Sequence, residues 1–218
     1  MRLVVVPGVF RPRSDSWMLT ESLAGLSPRP GFEALDLCTG SGLVAIAAAQ
    51  LGGRATAVDV SRRSVLTVRL NALLNGVGRR VRAVRGDLFA AVGGRDFDVI
   101  ASNPPYVPSD ADAPPARGPA RAWKAGPDGR LVLDRICAEA PRRLRPGGSL
   151  LLVHSSLCGT ETTLEQLRAG GLEARVVRSE RGPLGPLMLE RAAELERRGV
   201  LAPGQRDEEV VVIEGTRG

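Results

Sequence analysis

Residues 102–108 read Ser-Asn103-Pro104-Pro105-Tyr106-Val107-Pro, and Tyr106 is the only tyrosine among 218 residues. An amide or aromatic amino nitrogen is a poor nucleophile because its lone pair is delocalised. Acceptors on both of its N–H hydrogens turn that lone pair toward an electrophile. The Asn103 side-chain oxygen is one such acceptor. The Pro104 carbonyl is a second, since consecutive prolines hold the backbone extended and Pro105 carries no competing N–H. Tyr106 can lie against the flat face of the group so held. Upstream, Asp36-Leu-Cys38-Thr-Gly40-Ser-Gly42 follows an apolar run and opens an Ala-rich helical stretch. The two motifs in this order point to methyl transfer from S-adenosylmethionine to a planar, weakly nucleophilic nitrogen. The sulfonium methyl needs in-line placement at roughly 3–3.5 Å, and no base is required before transfer. That suits a chain with one histidine, His154, which reads as a satisfied strand-end residue.

The loop at Asp36–Gly42 has the marks of a small-ligand site. Gly40 and Gly42 let the backbone turn tightly and approach a ligand with no side chain in the way. Asp59 stands 23 residues after Asp36, where an acid can accept hydrogen bonds from both ribose hydroxyls. The spacing departs from Gly-x-Gly-x-x-Gly, with Cys38 before Gly40 and Ala45 in place of a third glycine. A small zwitterion therefore fits better than a pyrophosphate, with Asp36 facing its ammonium group. Asp87 can accept from an adenine amino group while Leu88 packs on the ring. Each acid alone reads as a turn or cap; three, each closing one of the first three expected strands, read as a site.

These groups need a scaffold that gathers strand ends. Short apolar runs alternating with helical patterns predict an α/β fold, a parallel sheet with helices on both faces. Strands are expected at 32–37, 55–59, 81–85, 97–102, 149–154, 173–178 and 209–213, and helices at 43–51, 61–75, 130–144, 160–169 and 186–198. Ser61 is placed to cap the second of these helices, Asn75-Gly76 to end it, and Pro146-Gly147-Gly148 to turn into the fifth strand. Residues 9–27 read as a turn feeding a short amphipathic helix over the ligand edge of the sheet. Residues 109–129, rich in Pro, Ala and Gly, read as a substrate-facing loop. The expected organisation is one domain, 1–218, with 1–30 covering the cofactor and 109–129 on the substrate side.

Bulk properties narrow the classes. No apolar run approaches the roughly 18 residues that cross a bilayer, and the start is too short for a signal-peptide core. Three cysteines without metal-ligand spacing suggest no metal site and a reducing, cytoplasmic setting. The net charge of +6 rests almost wholly on scattered arginines, with Lys124 the only lysine and few aromatics to stack bases. Nucleic acid is thus the less favoured partner.

With these residues in hand, the sequence resembles the class I, Rossmann-like methyltransferases, and among them the HemK family of protein glutamine methyltransferases. That family modifies the Gly-Gly-Gln tripeptide of translation release factors. The resemblance rests on Phe10–Ser16, Asp36–Gly42, Ala57-Val-Asp59, Gly86-Asp87-Leu88 and Asn103–Pro108. Ala122-Trp123-Lys124-Ala-Gly126-Pro-Asp-Gly129 is similar to a segment of the family's short branch, which lacks the extra N-terminal helical domain of the longer bacterial enzymes. The resemblance implies a seven-stranded, mostly parallel sheet. It also implies that Ser16, Asp36, Cys38, Asp59, Asp87, Leu88 and Asn103 contact S-adenosylmethionine, leaving S-adenosylhomocysteine as product. Asn103, Pro104, Pro105, Tyr106 and Val107 would hold the target amide. Ser16 replaces the usual Thr, and Cys38 replaces a common Gly, which narrows the pocket. The eukaryotic branch uses a small zinc-binding activating subunit, and such a partner stays open here. The alternatives are an adenine amino group in DNA or RNA, a small-molecule acceptor, or a non-catalytic cofactor-binding protein.

Overall fold

Asp36–Leu37, Ala57–Val58 and Ile100–Ser102 are buried on both sides, as strands in the middle of a parallel sheet must be. The computed structural model describes residues 1–109 and 125–218. Its seven strands are β1 (Glu33–Leu37), β2 (Arg54–Asp59), β3 (Val81–Arg85), β4 (Phe97–Ser102), β5 (Leu144–Ser155), β6 (Leu172–Pro183) and β7 (Asp207–Arg217). They form one sheet in the order β3-β2-β1-β4-β5-β7-β6. β7 runs antiparallel to both neighbours and the remaining pairs are parallel. The expected fold is borne out, including a mostly parallel sheet.

Helices α1 (Ser14–Gly25), α2 (Leu43–Gln50) and α3 (Arg62–Leu74) cover one face. There Met18, Leu19, Leu23, Val44, Ala48 and Val68 pack on Ala34, Ala57, Ala101, Leu151 and Val153. The strand alanines allow these helices to sit close. On the opposite face, α4 (Leu133–Arg143) and α5 (Thr160–Ala169) bury Leu133, Ile136, Ala140, Leu164 and Leu167 against Leu35, Leu37, Ile100, Leu150 and Leu152. Ser61 caps α3 by accepting from the Ser64 N–H at 3.3 Å, and Gly76 follows the helix at φ +71°.

Four expectations need correction. β5 begins at Leu144, which pairs with Phe97 ahead of a register shift, so Pro146-Gly147-Gly148 lies inside a bulged strand and is not the turn before it. Gly148 permits this, because a Cβ there would stand 3.0 Å from the Asp98 carbonyl. The helix expected over 186–198 is two short ones, α6 (Pro186–Leu189) and α7 (Ala192–Arg197), broken where Arg191 turns its guanidinium to Glu194 and to the Pro108 carbonyl. α4 starts at Leu133 and not at residue 130. Arg130 is buried in the preceding turn, donating to the Cys158 and Gly159 carbonyls and to the Thr163 hydroxyl. Finally, α1 lies on the face of the sheet, and only its first turn reaches the ligand edge.

The body of the 109–129 loop, and with it Trp123, lies outside the described residues. Its stem is described. Ala125 N–H donates to the Val107 carbonyl at 3.1 Å and Ser109 N–H to the Gly126 carbonyl at 2.7 Å. No helix among the described residues is long and apolar enough to cross a membrane.

Candidate active site

β1 sends the chain to β2 and β3 on one side, and β4 opens the other side. Such a reversal leaves a crevice beyond the carboxyl ends of the strands. A cavity of about 410 Å³ lies there, within the range of small-molecule sites. Its wall contains Cys38 and Gly40 after β1, Asp59 at the end of β2, Asp87 and Leu88 after β3, and Asn103 through Val107 after β4. These ten residues were singled out from sequence, and they line one space. Ser16, Asp36 and Gly42 stand behind that wall.

The loop after β1 explains why. Asp36 is buried and turned into its own loop, accepting from the Thr39 hydroxyl at 2.5 Å and the Ala45 N–H at 3.0 Å. Gly42 caps α2 at φ +87°, where a Cβ would meet Val68 at 3.1 Å. Asp59 ties the loop to β2: its Oδ2 accepts from Gly40 N–H at 3.0 Å and its Oδ1 from Ser61 N–H at 2.8 Å. Cys38 and Leu88 hold φ of +57° and +46°. Left-handed backbone costs a side-chain-bearing residue about 1–2 kcal/mol, and both residues face the cavity. Burial, reinforced by Asp59 and Asp36, pushes the Cys38 thiol far above its ordinary range, so it is a neutral wall and no nucleophile.

Burial also raises the Asp36 carboxyl from 3.8 to about 7, against the lowering effect of its bonds from Thr39 and Ala45. Between those values the folded chain keeps a proton that the unfolded chain has lost. This contribution to stability is therefore complete below about pH 4 and disappears as the pH rises through 7. Asp36→Asn keeps an oxygen for both donors and carries no charge. The variant is expected to flatten the decline, gaining as much as about 4 kcal/mol on the native chain between pH 4 and 8. Urea denaturation across that range measures it, and parallel curves for the two proteins would contradict it.

At the end of β4, Ser102 Oγ donates to the Leu37 carbonyl at 2.9 Å and fixes β4 to β1. Asn103 Nδ2 then donates to Ser16 Oγ at 3.0 Å, and Ser16 Oγ donates to Asp15 Oδ1 at 3.0 Å. Tyr106 OH donates to Asp15 Oδ2 at 2.9 Å. Burial, and next the Asp15 charge, hold the phenol well above its usual pKa, so it remains a donor. One carboxylate thus anchors both Asn103 and Tyr106. Asn103 lines the cavity with its nitrogen engaged, so Oδ1 is its remaining acceptor. Behind the motif, Cys158 Sγ donates to the Tyr106 carbonyl at 3.1 Å, and a Cβ on Gly129 would lie 2.4 Å from that same oxygen. Gly129, at φ +77°, has room for nothing else.

Asp87 is met on both oxygens by Arg135, at 3.2 and 2.8 Å. The pair is 56% and 53% exposed, so it is weak, and a carboxylate has lone pairs left for a ligand. His154 is fully buried with Nδ1 2.8 Å from the Ser155 carbonyl, and burial lowers it to about 4. It is neutral at pH 7 and absent from the cavity wall. Sequence reasoning missed Asp15, Arg13, Arg135 and Glu208, all of which line the cavity. Arg13 and Asp15 lie within the Phe10–Ser16 motif. Nothing local marks the other two.

Residues 2–116 match the methyltransferase small domain family. The match spans more than half of the chain. The chain belongs to that methyltransferase family. A Methanocaldococcus jannaschii relative, named as a protein N5-glutamine methyltransferase, is 33% identical over 190 residues, covering 87% of this chain and 93% of its own. A release factor glutamine methyltransferase of Gloeobacter violaceus is 35% identical over 177 residues, covering 78% of this chain. The aligned part is 61% of that bacterial relative's length. Among solved structures, the E. cuniculi Mtq2–Trm112 complex, described as responsible for methylation of the eRF1 translation termination factor, superposes with a TM-score of 0.62. The superposition covers 97% of this chain and 99% of that one at 22% identity, so it speaks for the fold.

Proposed function

We propose that this methyltransferase acts on a glutamine side-chain amide nitrogen in a protein, the Gly-Gly-Gln segment of a translation release factor, with S-adenosylmethionine as donor. The observation that carries the reading is the Asn103–Ser16 bond, which commits the amide nitrogen and leaves Oδ1 to accept an N–H. The two named relatives support the choice of acceptor.

S-Adenosylmethionine supplies an electrophilic methyl on a sulfonium sulfur. Asp59 would accept from the ribose hydroxyls and Asp87 from the adenine amino group, with Leu88 against the ring. Cys38 and Gly40 bring backbone close to the donor, and Asp36 holds the loop that presents it. Ser16 acts through Asn103, which it orients. Residues 1–30, through Phe10, Arg13 and Asp15, would cover the donor.

Asn103 Oδ1 and the Pro104 carbonyl each take one hydrogen of the target NH2. That geometry turns the nitrogen lone pair out of conjugation and toward the methyl carbon. Pro105 keeps competing donors away, Tyr106 lies along the amide plane, and Val107 supports it. A donor bound there would give its methyl to that nitrogen and leave as S-adenosylhomocysteine, and the nitrogen would then pass its extra proton to water. His154 has no part in this.

Incubation with methyl-labelled donor tests the reading. The acceptors are a release factor, the same factor with Gln of its Gly-Gly-Gln changed to Ala, and an oligonucleotide. Label in the first alone is expected. Label in the oligonucleotide alone would replace glutamine by a flipped base, and label in none would leave a binding protein.

A further inference from the structure

The connection between β6 and β7 builds a part of the cavity wall that methyl transfer itself leaves unused. Leu184, Met188, Ala192, Leu195 and Leu201 close into a small core with Val107. The connection is thereby fixed against the residue that follows Asn103–Tyr106. Glu208, at the start of β7, reaches the cavity here beside Gly185 and Met188. Its Oε1 accepts from Gly185 N–H at 2.9 Å. Its Oε2 is buried and has no hydrogen-bond partner among the described residues. An orphaned carboxylate oxygen is costly, and because Glu208 lines the cavity, a turn of its side chain would bring Oε2 to a donor there. The Glu208 charge is also felt at Tyr106 and Cys158, which places it near the acceptor end.

We propose that Glu208 is a specificity residue for the acceptor, its Oε2 taking a main-chain N–H of the peptide that flanks the target glutamine. This rests on the glutamine reading above. Both hydrogens of the target amide already have acceptors in Asn103 and Pro104. The next donors along Gly-Gly-Gln are main-chain amides, and glycines carry no Cβ to hold that backbone off the wall. A carboxylate makes the stronger, charge-assisted form of such a bond.

The test pairs enzyme and substrate changes. Native chain, Glu208→Gln and Glu208→Ala are each assayed on a Gly-Gly-Gln peptide and on peptides N-methylated at one flanking main-chain nitrogen at a time. For the native chain, one of these N-methyl groups should raise KM roughly ten- to hundredfold. Glu208→Ala should show a similar rise with the unmodified peptide and little further penalty from that N-methyl group. Glu208→Gln, which keeps the Gly185 bond but puts an NH2 donor at the Oε2 position, should lose as much as Glu208→Ala. Turnover at saturation and affinity for S-adenosylhomocysteine should stay near native in both variants. The same N-methyl penalties in all three proteins would overturn the proposal while the glutamine reading stands. No methylation of the unmodified peptide by the native chain would overturn that reading, and this proposal with it.

Discussion

Asn103→Ala is expected to lower turnover roughly 10²–10³-fold, the usual cost of removing one preorganised polar group from the reacting centre. Affinity for S-adenosylhomocysteine should change only a few-fold, because the ribose and adenine contacts sit on Asp59, Asp87 and Leu88. The structure adds a condition that makes the result clean. Asn103 donates to Ser16 Oγ, and Ser16 is separately held by Asp15 through its hydroxyl and its N–H at 2.6 Å. Losing Asn103 therefore leaves the Asp15–Tyr106 bond in place. Single-turnover methylation with enzyme in excess, beside calorimetric titration of the product, separates the two effects. Turnover within a few-fold of native would mean that Pro104 alone orients the amide.

Asp59→Ala should show the opposite split. Hydrogen bonds to a charged group are worth about 1.5–3 kcal/mol each. Losing the acceptor for the ribose hydroxyls should then raise the dissociation constant of S-adenosylhomocysteine roughly a hundredfold or more. Two further bonds go with it, from Gly40 N–H and Ser61 N–H, so the loop that faces the donor loosens as well. Turnover at saturating donor should fall far less, since the amide-holding groups sit on β4 and not on β2. An unchanged dissociation constant would place the ribose on another group.

Much of the site is legible along the chain because it is local. Gly40, Asp59, Asp87 and Asn103 each lie at or just past the end of a strand, and a parallel sheet delivers all such ends to one edge. Knowing the strands therefore nearly amounts to knowing the cavity. The misses are non-local. Asp15 becomes important only because α1 crosses the sheet face and brings its first turn to Tyr106, 91 positions away. Arg130 reads as an ordinary helix start, yet its guanidinium crosses to Cys158 and Thr163, and that burial delays α4 to Leu133. Asp36 reads as a ligand-facing acid, and in the folded chain its Oδ2 is taken by Thr39 and Ala45 of its own loop.

By itself, then, the order of residues determined the alternation of strands and helices, the strand-end acids and glycines, and the Asn-Pro-Pro-Tyr element. Periodic burial and turn chemistry act over a few residues. Only the tertiary structure decided which atoms of those residues are left to face a ligand. That choice depends on partners supplied by distant segments: Ser16 for Asn103, Asp15 for Tyr106, Arg135 for Asp87, and Gly185 for one oxygen of Glu208 but not the other. A hydrogen bond spends a lone pair or a donor, and which is spent is settled by three-dimensional neighbours.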